Sequence, residues 1–169
     1  MNNKMKKILL IDNETKNLKS LKYILRKNKI TTLKYNKINN IDVNKFDLII
    51  LSGGSNHPAN NIYEYENEIN LIKNTKIPII GICLGFQIIA KSFGGEIQKK
   101  LIRRKSQIIK IKKVKDSYIF RDINNKKIKV YESHRWVLKK SPVCFNVYAR
   151  SIDGIEIIKH KRKDIYGIQ

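Results

Sequence analysis

The chain has 169 residues, 41% of them hydrophobic, which fits one domain with a substantial core and excludes an intrinsically disordered chain. No apolar run approaches the length of a membrane span, and the polar, basic start Met1–Lys7 has no secretory character, so neither a membrane association nor an export signal is expected. The formal charge of +22, from 36 Lys+Arg against 14 Asp+Glu, invites a nucleic-acid reading. The lysines are nevertheless spread through almost every segment with no recognisable nucleic-acid motif, so no specific nucleic-acid partner is expected.

That spread, together with many Ile and Asn residues, is the bias of AT-rich codons. The tightest basic clusters, Lys99-Lys100 with Arg103-Arg104-Lys105 and His160-Lys161-Arg162-Lys163, read as exposed turns. Two cysteines, Cys83 and Cys144, do not make a disulfide framework, and a reducing cytoplasm is the expected location.

In chain order, Lys6–Asp12 is a short apolar run of the kind that forms a buried parallel strand. Leu18, Leu21, Ile24 and Leu25 fall at helical spacing, with Asn13 or Thr15 available as a cap. Thr31–Tyr35 is a weaker strand and Asp47–Leu51 a strong one. After the loop Ser52-Gly53-Gly54-Ser55-Asn56-His57-Pro58, the residues Ile62, Tyr65, Ile69 and Ile72 mark one face of a second helix. Strand Ile79–Ile82 follows, then a helix with Phe86, Ile89, Ala90 and Phe93 on its buried side, stopped by Gly94-Gly95. Alternating strands and helices predict an α/β fold with a doubly wound, mostly parallel, flavodoxin-like sheet and flanking helices. The second half differs: Gln107–Val114, Lys127–Ser133, Cys144–Ile152 and Ile155–Ile158 read as successive strands of a small antiparallel region. Only short helical pieces such as Ser117–Arg121 interrupt them, and Ile165–Gln169 reads as another strand.

Chemistry concentrates at Gly81-Ile82-Cys83-Leu84-Gly85-Phe86-Gln87, a strand, a glycine-flanked turn and a helix with a thiol at the apex. Gly-x-Cys-x-Gly is a cysteine form of the nucleophile elbow, and a thiol at a helix N-terminus is expected to be exposed and favoured as thiolate. Free cysteine is more often a small buried hydrophobe, but the flanking glycines favour the reactive reading. Gln87 lies one helical turn on, on the same face, where its amide can meet a bound substrate. Ser52-Gly53-Gly54 ends a strand in the region where open parallel sheets bind ligands. Two glycines there free backbone N–H groups, and those of Gly54 and Leu84 are the pair chosen for an oxyanion hole. No metal site is expected.

Together, Leu51-Ser52-Gly53-Gly54, Gly81–Gln87, Phe93-Gly94-Gly95, Glu132-Ser133-His134 and Tyr166-Gly167-Ile168-Gln169 resemble the class I glutamine amidotransferases, in the family's order over nearly the whole chain. The resemblance implies that Cys83 attacks the side-chain amide of L-glutamine, with Gly54 and Leu84 as the oxyanion hole. Gly53, Gln87, Ser133 and His134 would hold the substrate. It implies no cofactor in this domain, and a partner synthetase subunit of the ATP pyrophosphatase type, with ATP and Mg, that takes up the ammonia. Residues Lys129–His134, Val147–Ser151 and Ile155–His160 are most similar to glutaminase subunits of archaeal-type GMP synthases, which supply ammonia for amination of XMP. The opening Ile8–Asn13 also resembles the glutaminase subunits of anthranilate and aminodeoxychorismate synthases. A receiver domain, another doubly wound fold with a similar opening, needs a phosphoacceptor Asp where this chain has Ser52-Gly53-Gly54.

Three departures from the family stand out, with a further one, Arg135-Trp136 in place of an expected acidic residue, set against the archaeal-type GMP synthase subunits. Ser55-Asn56-His57-Pro58 replaces the Pro-Gly common after the glycine pair, and Phe86 replaces a His common in several subfamilies. In the family, Tyr-Gly-Ile-Gln is followed by Phe-His-Pro-Glu, which carries the catalytic base and the carboxylate that orients it. This sequence ends at Gln169, so the expectation is a single domain over residues 1–169 cut short at its C-terminus. His57, His134 and His160 read as loop or surface residues and not as substitute bases. A catalytically silent binding or regulatory module is the alternative from another functional class.

Overall fold

The computed structural model describes residues 4–39, 41–55, 61–100, 107–115 and 117–169. His57 and the Arg103-Arg104-Lys105 cluster lie outside the described residues.

The first half alternates as its periodicity predicts. It contains β1 (Lys7–Asn13), α1 (Leu18–Ile24), β2 (Lys29–Lys34), β3 (Leu48–Gly54), α2 (Glu66–Asn74), β4 (Ile79–Ile82) and α3 (Leu84–Ser92). Strands follow: β5 (Glu96–Lys99), β6 (Gln107–Lys113), β7 (Lys127–Glu132), β8 (Trp136–Lys140), β9 (Phe145–Arg150), β10 (Ile155–His160) and β11 (Ile165–Ile168). They form one sheet in the order β2-β1-β3-β4-β11-β10-β9-β6-β7, with β5 pairing β8 and β8 pairing β10. Strands β2 to β11 in that order are parallel, and antiparallel pairing begins between β11 and β10.

Strand β1 shows why apolar runs sit in the middle of such a sheet. Leu9 and Ile11 join the cluster under α2 and α3, while Ile8 and Leu10 pack on the opposite face beside Leu18 and Leu21 of α1. Both faces are covered, so the run is continuous instead of alternating. A separate cluster around Ile109, Ile111, Tyr148 and Phe120 closes the antiparallel end. On the outer face of the β6–β7 ribbon, Lys110 faces Lys129 and Lys112 faces Lys127. Such a row of exposed lysines keeps an edge strand from pairing with another chain.

Several expectations are corrected. Neither Asn13 nor Thr15 caps α1: the cap position is Asn17, with no side-chain cap bond, and Asn13 ends β1 buried. Residues Ile62–Tyr65 form a 3-10 turn that precedes α2. Strands β5 and β8 are additions to the expected set: each is short, and among the described residues β5 pairs with β8, and β8 with β5 and β10. Lys100 is not on an exposed turn, because buried carboxylates pair with it. His160 is also buried, in edge contact with Phe93 and Phe145, at ring-centroid distances of 5.4 and 5.0 Å. Strand β11 lies at the centre of the sheet, between β4 and β10.

Candidate active site

The turn between β4 and α3 holds Cys83 at φ 51°, ψ −101°, a left-handed conformation that a non-glycine residue adopts at a cost of about 1–3 kcal/mol. The flanking glycines make room for it. A Cβ on Gly85 would lie 2.6 Å from Leu51 Cβ, and one on Gly81 would lie 2.6 Å from the Gly85 carbonyl carbon. The elbow is thus pressed directly onto β3. The backbone N–H of Cys83 donates to the Ile168 carbonyl at 2.8 Å, so β11 fixes the turn from the other side.

The neighbouring strand end brings the glycine loop to the thiol. Gly53 lies against the nucleophile, since a Cβ there would be 3.5 Å from Cys83 Cβ. Gly54 pairs with Asn13 of β1 and packs under Leu84, leaving no space for a side chain. Gly53, Gly54, Cys83, Leu84 and Gln87 line one cleft of about 880 Å³. Ser133, His134, Arg135 and Trp136 form its other wall. The structure therefore brings together all seven candidate residues that sequence reading singles out.

Electrostatics at the thiol differ from the expectation. Burial pushes the Cys83 thiol up, and this outweighs the Leu84 N–H and the Gln169 side chain, which pull it down; Glu156 raises it and Lys100 lowers it. A helix N-terminus favours thiolate, but a half-covered cleft floor removes the water that would solvate one.

Gln87 is oriented from two sides. Its Nε2 donates to the Trp136 carbonyl and to Gln169 Oε1, both at 3.1 Å. Both amide hydrogens are committed, so Gln87 Oε1 is the atom left to meet a ligand. The Trp136 carbonyl also accepts from His134 Nδ1 at 2.8 Å, which fixes a proton on that nitrogen. His134 Nε2 lies 2.5 Å from Glu132 Oε2. Both ring nitrogens are engaged, so His134 builds the wall and does not face the thiol as a base.

Behind that wall sits a charge cluster that the sequence does not reveal. Lys100 Nζ pairs with Glu132 at 2.9 Å and Asp153 at 3.0 Å, all with side chains under 10% exposed. Glu156 accepts from Ser151 Oγ at 2.5 Å, and burial raises its carboxyl, with Ser151, His134 and Lys100 acting the other way. Donor atoms of Glu132, His134 and Glu156 lie within 4.8 Å of one another. Within this trio Glu132 pairs with both Lys100 and His134, so the group is part of a buried ion-pair network. Nothing in the local sequence marks Lys100 or Asp153, because their partners come from distant strands.

A second buried group lies beneath the glycine loop. Asn13 Nδ2 donates to the Ser52 carbonyl at 3.1 Å and to Glu68 Oε1 at 3.2 Å, and Asn13 N donates to Ser52 Oγ at 2.9 Å. Glu68 is fully buried. A signal for it exists: Glu68 falls three residues after Tyr65, on the apolar face of its helix.

The family description "Glutamine amidotransferase class-I" matches residues 9–169. The chain is 38% identical over 122 residues to a glutamine-hydrolyzing GMP synthase subunit of Methanococcus maripaludis, covering 72% of this chain and 61% of that relative. It is 36% identical over 153 residues to the protein of the same description in Methanocaldococcus jannaschii, covering 89% and 77%. It thus spans about three fifths of the length of the former. Among solved structures, a glutamine amidotransferase of Thermotoga maritima aligns over 99% of this chain and 76% of its own, with a TM-score of 0.80 at 18% identity. That likeness speaks for the fold, in which the parallel half carries the elbow and the antiparallel half supplies the opposite wall. The chain belongs to the class-I glutamine amidotransferase family.

Proposed function

We propose that the chain is the glutamine-hydrolysing part of a GMP synthase, acting in the cytoplasm. Its partner would be a synthetase subunit that binds ATP and Mg and aminates XMP. The observation that carries the reading is the strained Cys83 elbow, with Gly53 against its Cβ and Leu84 lining the same cleft.

In this mechanism the Cys83 sulfur adds to the side-chain amide carbon of glutamine. The amide oxygen takes the negative charge between the N–H groups of Gly54 and Leu84. Collapse breaks the C–N bond, a proton reaches the departing nitrogen, and ammonia leaves a γ-glutamyl thioester. Water then cleaves the S–C bond to give glutamate and the free thiol. Gln87 Oε1, Ser133 and the His134 segment position the substrate.

The step needs a base to take the thiol proton, more so because burial raises that thiol. His134 is committed to Glu132 and Trp136, and His160 accepts backbone N–H bonds from Arg162 and Lys163 through Nδ1. We assign the base to the His of the Phe-His-Pro-Glu motif that the family resemblance places after Tyr166–Gln169.

The test is a glutaminase assay on the 169-residue chain beside one extended by the following codons, each with and without Cys83→Ala. The expected result is little turnover in the short form, and turnover in the long form that Cys83→Ala removes and a synthetase subunit stimulates. Turnover that survives Cys83→Ala refutes the assignment. Supplying each form to synthetase subunits for XMP and for chorismate amination identifies the acceptor.

A further inference from the structure

We propose that Asn13 and Glu68 are positioning residues for the oxyanion loop, with Glu68 held as a neutral acid that pairs through both oxygens with the Asn13 amide. The inference rests on the glutaminase reading of the cleft and adds a part that the elbow and its wall do not contain.

Three elements meet beneath the loop. Asn13 ends β1, Ser52 lies near the end of β3, and Glu68 is in the first turn of α2; all three side chains are buried. Asn13 grips Ser52 twice, through its own N–H to Ser52 Oγ and through Nδ2 to the Ser52 carbonyl. The next two residues are Gly53 and Gly54, and the Gly54 backbone pairs with Asn13 itself. Any shift of Asn13 therefore moves the proposed donor N–H of Gly54.

What holds the Asn13 side chain is Glu68. The amide cannot turn over, because its oxygen would then face the Ser52 carbonyl, two acceptors in contact. Nδ2 thus spends one hydrogen on Ser52 and the other on Glu68 Oε1. Among the described residues, two buried atoms of this group are left without a partner, Asn13 Oδ1 and Glu68 Oε2. These are the two atoms that complete a cyclic acid–amide pair: a proton on Glu68 Oε2 donates to Asn13 Oδ1. An ionised carboxylate offers no such donor and leaves both acceptors without one. Burial favours the protonated form, raising the carboxyl to about 8 against the opposing effect of the Asn13 hydrogen bond. The titratable neighbour from the turn before α2 is Tyr65, with Tyr35, Glu64 and Glu14 beyond it. Each adds negative charge if it ionises, so none assists the carboxylate.

The test compares two labels of Cys83 on the 169-residue chain. A chloroketone analogue of glutamine reacts by addition of sulfur to the ketone, whose oxygen takes charge in the hole. Sulfur then bonds the methylene carbon as chloride leaves, and its bond to the former carbonyl carbon breaks as the ketone is restored. Iodoacetamide reacts by direct displacement of iodide, with no charged oxygen to stabilise. Glu68→Ala and Asn13→Ala are expected to slow chloroketone labelling about tenfold, a fraction of what losing an oxyanion donor costs, while iodoacetamide changes less than about twofold. Glu68→Gln, which can form the same paired geometry, is expected to restore the chloroketone rate. In the wild type the ratio of the two rates falls as pH rises through about 8, and in Glu68→Gln it does not.

Equal slowing of both labels, or an unchanged ratio in all variants, overturns the positioning role while leaving the glutaminase reading intact. Failure of the chloroketone to label Cys83 in preference to Cys144 in both the 169-residue chain and the extended one overturns both. Thermal melts of the folded variants at the labelling temperature confirm that the rates compare folded proteins, and Glu68→Gln carries the pH test where an alanine variant unfolds.

Discussion

Replacing Glu68 by Gln isolates the stability cost of an acid with no water around it. Its carboxyl is moved from 4.5 to about 8, burial being the main cause and the Asn13 hydrogen bond opposing it. Between those values the unfolded chain has lost the proton and the folded chain keeps it. The folded state therefore binds more protons, and stability falls as pH rises through this window. Above about pH 8 both states are ionised and the loss levels off. At about 1.4 kcal/mol per pKa unit, the displacement corresponds to roughly 4–5 kcal/mol, an upper limit because relaxation around the charge reduces it. Glu68→Gln has no proton to lose and escapes this slope. The assay is urea unfolding of both proteins at about pH 5, 6.5 and 9, read by far-UV circular dichroism. Near pH 5 the variant should match the wild type to within about 1 kcal/mol, the usual size of one exchanged hydrogen bond. Near pH 9 it should be more stable by at least about 2 kcal/mol. Stability curves that run parallel in the two proteins from pH 5 to pH 9 refute the reasoning.

Lys100→Met should destabilise by about 3–5 kcal/mol, because Glu132 and Asp153 both lose the buried ammonium they share; a loss below about 1 kcal/mol in urea melts refutes the pairing. Gly85→Ala should cost at least about 2 kcal/mol in urea melts by forcing α3 off Leu51. A soluble, fully stable Gly85→Ala protein contradicts the close approach. His160 is lowered from its ordinary value mainly by burial, then by Lys163, Lys159 and Arg162. The unfolded chain protonates this ring first, so His160 contributes stability above about pH 6.5 that is lost on acidification. In a Glu68→Gln background, an NMR titration should place its midpoint below 6.5, the reference value for the unfolded ring; a midpoint at or above that value contradicts its burial.

Most of the parallel half is legible because its signals are local. The apolar runs of β1, β3 and β4 and the helical spacing of α3 need no knowledge of the rest of the chain. The elbow is legible for the same reason, since Gly81, Cys83 and Gly85 are close in sequence. What escapes depends on partners far away in the chain. Strand β8 has five residues and pairs with β5 and β10, which nothing in its own sequence announces. Lys100 looks like part of a solvated basic cluster, and its carboxylates stand 32 and 53 positions further on. Asn13 looks like a cap because residues of that type so often are, but the end of β1 offers it Ser52 and Glu68 first. The thiol is expected to favour its charged form because sequence shows the helix N-terminus and not the walls that exclude water.

The cleft gathers features that weaken a fold. Cys83 is strained, Glu68 is a dry acid, and Lys100, Glu132, Asp153 and Glu156 are charged or acidic groups behind a wall. Cys83 and Glu68 are tolerated because they are attached to the part of the sheet with the most burial to offer. Leu51, Ile79, Leu84, Ile88 and Ile89 are at most 1% exposed and surround the elbow on β3, β4 and α3. Burying one such side chain contributes about 1.5–3 kcal/mol, so one or two of them offset the strain at Cys83. The opposite wall has less to draw on. The cluster around Ile109 and Tyr148 that closes the antiparallel end is smaller, and the wall's rigidity comes from ion pairs and hydrogen bonds that converge on His134 and the Trp136 carbonyl. Substitutions in that network should loosen the wall and the grip on Gln87 before they unfold the chain. Substitutions under the elbow should unfold the chain before they alter the chemistry of its thiol.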